Sequence, residues 1–383
     1  MLLVGMFGQF AGTLVVSTPP FLIPYLHMAQ GVDLVRAAAI ASAPALGTMI
    51  SLVVWGAAAD RYGERSAMAA GLAVVVAGGV GATMSSSVTA LTIWFFICGV
   101  GAASAHAASG RLVIGWFAVG QRGLAMGIRQ TALPLGTGAA AIIAPNLVEA
   151  AGMSVTSATM TVVAIAALIG SLRIVDPPRP ATSTTADGRA PNPYRRDATL
   201  PRVHLASALL VVPQYAIWAF LLLWLVEARG WSTASASALV AGAHALSAGG
   251  RILAGWWSDR VGSRLRPMRI VAASAAVIML GLGLLESTGV GVALAVLATV
   301  VTVSDNGLAF TAVAERAGPF WSGRALGVQN TGQYLSAAAT PPVLGLVVAA
   351  HGYGWAFGCA AAFAALAVGV IPIGDRSDRA GWG

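Results

Sequence analysis

Gly56-Ala57-Ala58-Ala59-Asp60-Arg61-Tyr62-Gly63-Glu64-Arg65 recurs, with changes, as Gly255-Trp256-Trp257-Ser258-Asp259-Arg260-Val261-Gly262-Ser263-Arg264, at an offset of 199 residues. A second pair, Ala125-Met126-Gly127-Ile128-Arg129-Gln130-Thr131 and Ala325-Leu326-Gly327-Val328-Gln329-Asn330-Thr331, is offset by 200. Two independent matches at nearly one offset indicate a duplicated unit. Each ten-residue stretch joins two long apolar runs, so the duplicated unit is built from membrane spans.

The composition agrees. Of 383 residues, 57% are hydrophobic and only 9% charged, against about 25% charged in a soluble domain. That excludes a cytosolic globular enzyme, a disordered chain and a secreted disulfide scaffold. All 22 basic residues are arginine, and the net charge is +8. The arginines fall in short clusters between apolar runs rather than on one face, which argues against a nucleic-acid partner. Cys98 and Cys359 lie in apolar runs, with no metal-ligand spacing. No P-loop, GxSxG or HExxH is present, so neither a cofactor nor ATP-driven pumping is expected. The first apolar run begins at Met1 without a charged leader and is too long for a signal peptide.

Breaking the chain at charges and Gly/Pro clusters predicts twelve spans, near 2–27, 37–58, 67–86, 89–111, 123–148, 154–172, 203–226, 233–257, 268–286, 289–311, 324–348 and 355–373. Pro19–Pro20 and Pro341–Pro342 fall inside two of them, which transmembrane helices tolerate. With the N-terminus in the cytoplasm, eighteen arginines fall on the inside, Arg36 and Arg229 outside, and Arg129 and Arg251 within spans. The positive-inside rule then places both termini in the cytoplasm of a cell inner (plasma) membrane. The segment 173–202 holds six prolines between 177 and 201 and reads as a flexible cytoplasmic linker. The expected fold is all-α and integral to the membrane, with two pseudo-symmetric six-helix bundles, 1–172 and 203–383. Such parallel repeats are a transporter architecture.

The duplicated GxxxDRxGxR stretch, between spans two and three and again between eight and nine, resembles the loop signature of the major facilitator superfamily. The resemblance covers the whole chain. One position departs from the pattern: Glu64 stands where a basic residue is usual. Gly56 and Gly255 fit close helix approach, and Gly63 and Gly262 fit tight turns. The resemblance implies that Asp60 meets the start of span eleven near Gly323, and Asp259 that of span five near Gly123. Those contacts would gate the cytoplasmic side, together with Arg61, Arg65, Arg260 and Arg264. The resemblance also implies alternating access; the sequence gives no reason to expect more than a monomer.

Polar groups in the hydrocarbon region point to function. Arg129 in span five and Arg251 in span eight each lie about seven residues from the cytoplasmic end. At 1.5 Å per residue that is on the order of 10 Å deep. The resemblance makes these spans face one cleft, where two guanidiniums at similar depth would accept a small organic anion. Arg122 to Gly136 and Arg251 to Arg260 are similar to spans five and eight of monocarboxylate and oxalate porters, the former also to cyanate-type permeases. Gln130, Asn330 and Tyr334 are further candidate substrate ligands. Arg251 has two plainer readings, snorkelling toward the cytoplasm or pairing with Asp305. Asp305, the one acid well inside a span, is a candidate for proton coupling or a fixed counter-ion. His106 and His244 are candidate proton carriers, or hydrogen-bonded packing.

The reading is a secondary active transporter, with a symporter of a monocarboxylate-like anion as its form. Its partners are a small-molecule substrate, the bilayer and protons. One rival keeps the fold and exports drugs or other hydrophobic compounds against protons. The antiporter-type glycine-proline pair in span five is poorly matched by Leu133-Pro134-Leu135-Gly136, and Ile93 to Ile97 lacks the arginine common early in span four of proton antiporters. A membrane-embedded enzyme or sensor finds no acid/base constellation and no added domain.

Overall fold

A computed structural model describes residues 1–178 and 191–373. Arg179, Arg189, Arg376 and Arg379, used in the topology count, lie outside the described residues. The described chain is helical: α1 (Leu2–Phe21), α2 (Leu34–Tyr62), α3 (Glu64–Thr83), α4 (Val88–Trp116), α5 (Arg122–Gln130), α6 (Ala132–Ser171), α7 (Thr199–Glu227), α8 (Thr233–Val261), α9 (Leu265–Leu285), α10 (Gly289–Val301), α11 (Asp305–Ala317), α12 (Ser322–His351) and α13 (Tyr353–Val370).

Ten stretches of the described residues are long and apolar enough to cross a membrane. One of them, Val119–Ser171, runs 53 residues and turns at Gly152, whose φ of 81° only glycine adopts without strain. Gly352, 200 residues later with φ 89°, makes the matching turn between α12 and α13. α8 is 29 residues long but carries Ser235, Ser237, His244, Ser247 and Arg251, which lower its hydropathy. Counting the folded stretch twice and adding α8 gives twelve passages.

Two predicted spans lose regular helical hydrogen bonding at one point each, although Thr131 and Thr302 themselves keep right-handed helical φ/ψ. Span five breaks at Thr131, between α5 and α6. Span ten breaks at Thr302–Ser304, between α10 and α11. Both breaks follow or precede charged residues, Arg129 and Asp305, and neither contains glycine or proline to mark it in the sequence.

The chain divides into two compact units. The first comprises Met1–Trp116, Arg129–Pro191 and Ala317–Thr331. The second comprises Phe117–Ile128, Asn192–Arg316 and Gly332 onward. Each therefore holds the opening turns of a helix that mostly belongs to the other sequence half.

Within the first unit, α4 packs on α2 and α3, and α6 on α1 and α3. Small residues permit this: a Cβ on Gly99 would lie 1.9 Å from Pro44 O. Leu14, Val75, Phe95, Cys98 and Met160 fill the core. Within the second, α13 packs on α7 and α9, and Trp224 meets Phe357 edge-on at 6.1 Å. The first residues of the predicted linker are docked. Ile174 is buried, Trp116 Nε1 donates to Val175 O at 2.9 Å, and Asp176 Oδ1 accepts from the Arg65 N–H at 2.8 Å.

Candidate functional site

The paired loops have the most regular geometry. In the first unit, Asp60 ends α2 and faces the start of α12. Its carboxylate accepts from the N–H groups of Gly323 (2.8 Å) and Arg324 (3.0 Å). A helix start leaves such N–H groups without intrahelical partners and carries a partial positive charge. Gly56 and Gly323 allow the approach: a Cβ on either would lie 2.2 or 2.3 Å from the other's carbonyl oxygen. In the second unit Asp259 repeats this at the start of α5, accepting from Gly123 (2.9 Å) and Leu124 (2.8 Å). A Cβ on Gly255 or Gly123 would lie 2.1 or 2.4 Å from the opposite carbonyl.

The two loops neutralise their aspartates differently. Arg111, counted in the sequence as a loop arginine, lies inside α4 and is buried. Its Nε meets Glu64 Oε1 at 2.5 Å and its Nη1 meets Asp60 Oδ1 at 3.4 Å. Glu64, the departure from the family pattern, is thus the partner of an arginine on the next helix, and Arg65 is exposed. In the second loop the motif's own last residue folds back. Arg264 donates to Asp259 Oδ1 (2.5 Å), Ser258 Oγ (2.8 Å), Val119 O (2.6 Å) and both oxygens of Glu315 (3.2 and 3.3 Å). Burial pulls this guanidinium down, but Glu315 and Asp259 outweigh it and hold it above its ordinary value. Arg61 and Arg260 are exposed, each over an aromatic ring, Tyr62 and Trp256.

Deeper in the first unit, Arg129 is 1% exposed. It donates to Ser109 Oγ (3.0 Å), His106 O (3.1 Å) and Gln130 Oε1 (2.6 Å). Ser109 donates on to Gln9 Oε1 (3.2 Å), and Gln9 Nε2 lies 3.5 Å from His106 Nδ1. The candidates Arg129, Gln130 and His106 therefore form one cluster, with Gln9 and Ser109 added by the fold. Asn330 donates to Leu326 O of its own helix at 2.8 Å.

In the second unit, Arg251 is 2% exposed. Asp305, Tyr215 and His244 are within its electrostatic reach. Tyr215 stacks at a tilt on Trp218 (5.2 Å), and Trp218 meets His244 edge-on (5.7 Å). Tyr334 is electrostatically coupled to Tyr215. Beside them runs an amide chain: Asn306 donates to Gln214 Oε1 (3.1 Å), and Gln333 donates to Asn306 Oδ1 (3.1 Å) and Ser207 Oγ (2.7 Å). Asp305 is the first residue of α11, at the break in span ten.

The internal repeat reaches into these clusters. Gln9 and His106 pair the first and fourth spans; Gln214 and Asn306 pair the seventh and tenth. His106 and Asn306 are 200 residues apart. That offset was the available signal for the pairing, hidden because the residue types differ.

Comparison with known proteins follows the same lines. The family profile of the Major Facilitator Superfamily matches residues 5–341. The uncharacterized MFS-type transporter Rv2994 of Mycobacterium tuberculosis is 42% identical over 358 residues, 92% of this chain and 80% of that one. Among solved structures, the human organic anion transporter MFSD10 (TETRAN) superposes with a TM-score of 0.72 at 17% identity, covering 97% of this chain and 98% of that one. The E. coli fucose:proton symporter FucP gives 0.78 at 16%, with 97% of each chain covered. At such identities the structures speak for the fold alone. With a profile match over nearly the whole chain, a relative at 42% and a duplicated twelve-passage architecture, this chain belongs to the Major Facilitator Superfamily, as a multi-pass membrane transporter of a small-molecule substrate and not an enzyme.

Proposed function

We propose that the protein carries a small, monocarboxylate-like organic anion across the cytoplasmic membrane by alternating access, with a proton moving alongside. The observation that carries this reading is the burial of two guanidiniums, Arg129 and Arg251, each 1–2% exposed. Arginine recognises a carboxylate through bidentate, charge-assisted hydrogen bonds, and these are strongest where water is excluded. Arg251 is the stronger candidate for direct contact, because an acid, Asp305, and the ring groups of Tyr215 and His244 lie within its electrostatic reach. Arg129 is held in place by Ser109, His106 and Gln130.

Asp305 gives the coupling. Ionised, it attracts Arg251 and competes with the substrate for it. Protonated, it releases Arg251 to the anion. Proton and anion then bind with positive, reciprocal coupling, which is the logic of a symporter. Asp60 and Asp259 would let go of Gly323 and Gly123 when the cytoplasmic side opens, with the protein acting as a monomer and both termini cytoplasmic.

One observation favours a second reading. Tyr215, Trp218 and His244 form an aromatic wall beside an acid and an arginine, which suits a hydrophobic cargo exported against protons. A thermal-shift screen of the purified protein separates the two. A ligand at a hundred times its Kd stabilises the folded state by about 2.7 kcal/mol. Small carboxylates should raise the Tm and lipophilic cations should not; the opposite pattern selects the exporter.

A further inference from the structure

α8 and α9 leave a cleft of about 320 Å³ between them in the second unit. Leu253, Trp256 and Trp257 line it from α8, Ile270 and Ser274 from α9, and Ser304 from the break in span ten. It opens outward: Leu253 is 64% and Ile270 54% exposed. In a membrane protein an outward apolar surface at this level meets lipid, and a cleft in it takes an acyl chain.

The charge at one end narrows the occupant. α8 ends, and α9 begins, on the arginine-rich side. Arg260 stacks over Trp256 at 4.4 Å, at the cleft's edge. Arg266 and Arg269 open α9 within one turn of Ile270. Arg260 and Arg266 are exposed. The acids close by are committed elsewhere, Asp259 to the start of α5 and Glu315 to Arg264. Tryptophans and arginines at the end of an apolar cleft are the chemistry of an interfacial headgroup site.

We propose that this cleft binds an anionic phospholipid of the arginine-side leaflet, its acyl chain between α8 and α9 and its phosphate at Arg260, Arg266 and Arg269. A zwitterionic lipid fits the apolar part equally well but brings no net charge to the arginines.

The test is native mass spectrometry of the full-length protein with phosphatidylglycerol and phosphatidylcholine of identical acyl chains, alongside thermal unfolding. The protein should retain at least threefold more phosphatidylglycerol, with the larger rise in Tm. The Arg266→Gln/Arg269→Gln variant, altered outside the packed core, should retain the two lipids equally. Ser274→Trp, which fills the cleft, should lower retention of both. Equal retention of the two lipids by the unaltered protein overturns the proposal, as does undiminished phosphatidylglycerol on either variant.

Discussion

Arg111 Nε lies 2.5 Å from Glu64 Oε1, with both side chains closed off from solvent. The pair explains why an acid occupies a position that is basic in the family pattern. The cation in this loop comes from α4, so a second one at position 64 would stand against Arg111. Glu64→Arg should therefore be the most damaging single change in the loop. Breaking a buried pair costs about 3–5 kcal/mol, and the added like charge deepens the loss. Thermal unfolding in detergent measures it; a Tm unchanged in Glu64→Arg would mean the pair is not formed.

Asp60→Asn and Asp259→Asn keep shape and remove charge at a helix start. Each should cost roughly 0.5–2 kcal/mol, the range for a charged cap and its dipole interaction. Because the two aspartates lie in separate units, the losses should add within about 0.5 kcal/mol. Strong non-additivity in the double variant, read from the same unfolding curves, would show that the loops act as one element.

Gly255→Ala tests the close approach rather than the charge. Its Cβ would lie 2.1 Å from Gly123 O, which is backbone and has no side chain to rotate away. Asp259 must then lose its hold on α5. Transport should fall at least tenfold, and the Tm should drop further than in Asp259→Asn. Equal Tm values for the two variants would contradict the packing.

Arg264→Lys addresses pH. The folded-state value of Arg264 is raised by Glu315 and Asp259, so its stabilisation is complete below the ordinary arginine value and is lost only as pH rises through the folded one. Lysine titrates near 10.4 in model peptides and has three donors to replace five bonds. The variant should be less stable at neutral pH and lose further stability as pH rises past about 10. Unfolding midpoints across alkaline pH check this; parallel curves for both proteins would refute it.

Much of the fold was legible in the sequence because its signals are composition and repetition. Twenty-residue apolar runs mark passages whatever their neighbours, and two GxxxDR loops at one offset mark a duplication. The glycines and aspartates of those loops were legible for the same reason. Arg111 was not: at the end of an apolar run it looked like a loop charge, and only packing of α4 on α2 and α3 brings it to Asp60 and Glu64. The breaks at Thr131 and Thr302–Ser304 were invisible too, since neither glycine nor proline stands in them; Thr302 and Ser304 turn their hydroxyls back to the carbonyls of Ala298 and Val300. Ser109 carries no mark of its own among the small residues of α4, and only the fold joins it and Gln9 to the cluster around Arg129.

Asp305→Asn separates coupling from binding. The amide keeps size but cannot ionise, so Arg251 should stay available to the anion. Counterflow exchange in proteoliposomes should persist while accumulation driven by a proton gradient is lost. Loss of both activities with a normal Tm would assign Asp305 to substrate binding instead.

The central claim is that Arg251 holds the anion. Its direct measurement is uptake of a panel of radiolabelled monocarboxylates into proteoliposomes under an inward proton gradient. The unaltered protein should accumulate at least one of them, and both Arg251→Ala and Arg251→Lys should lose at least ten-fold in rate, since lysine cannot form the bidentate fork. Unchanged uptake in folded Arg251→Ala would contradict the account.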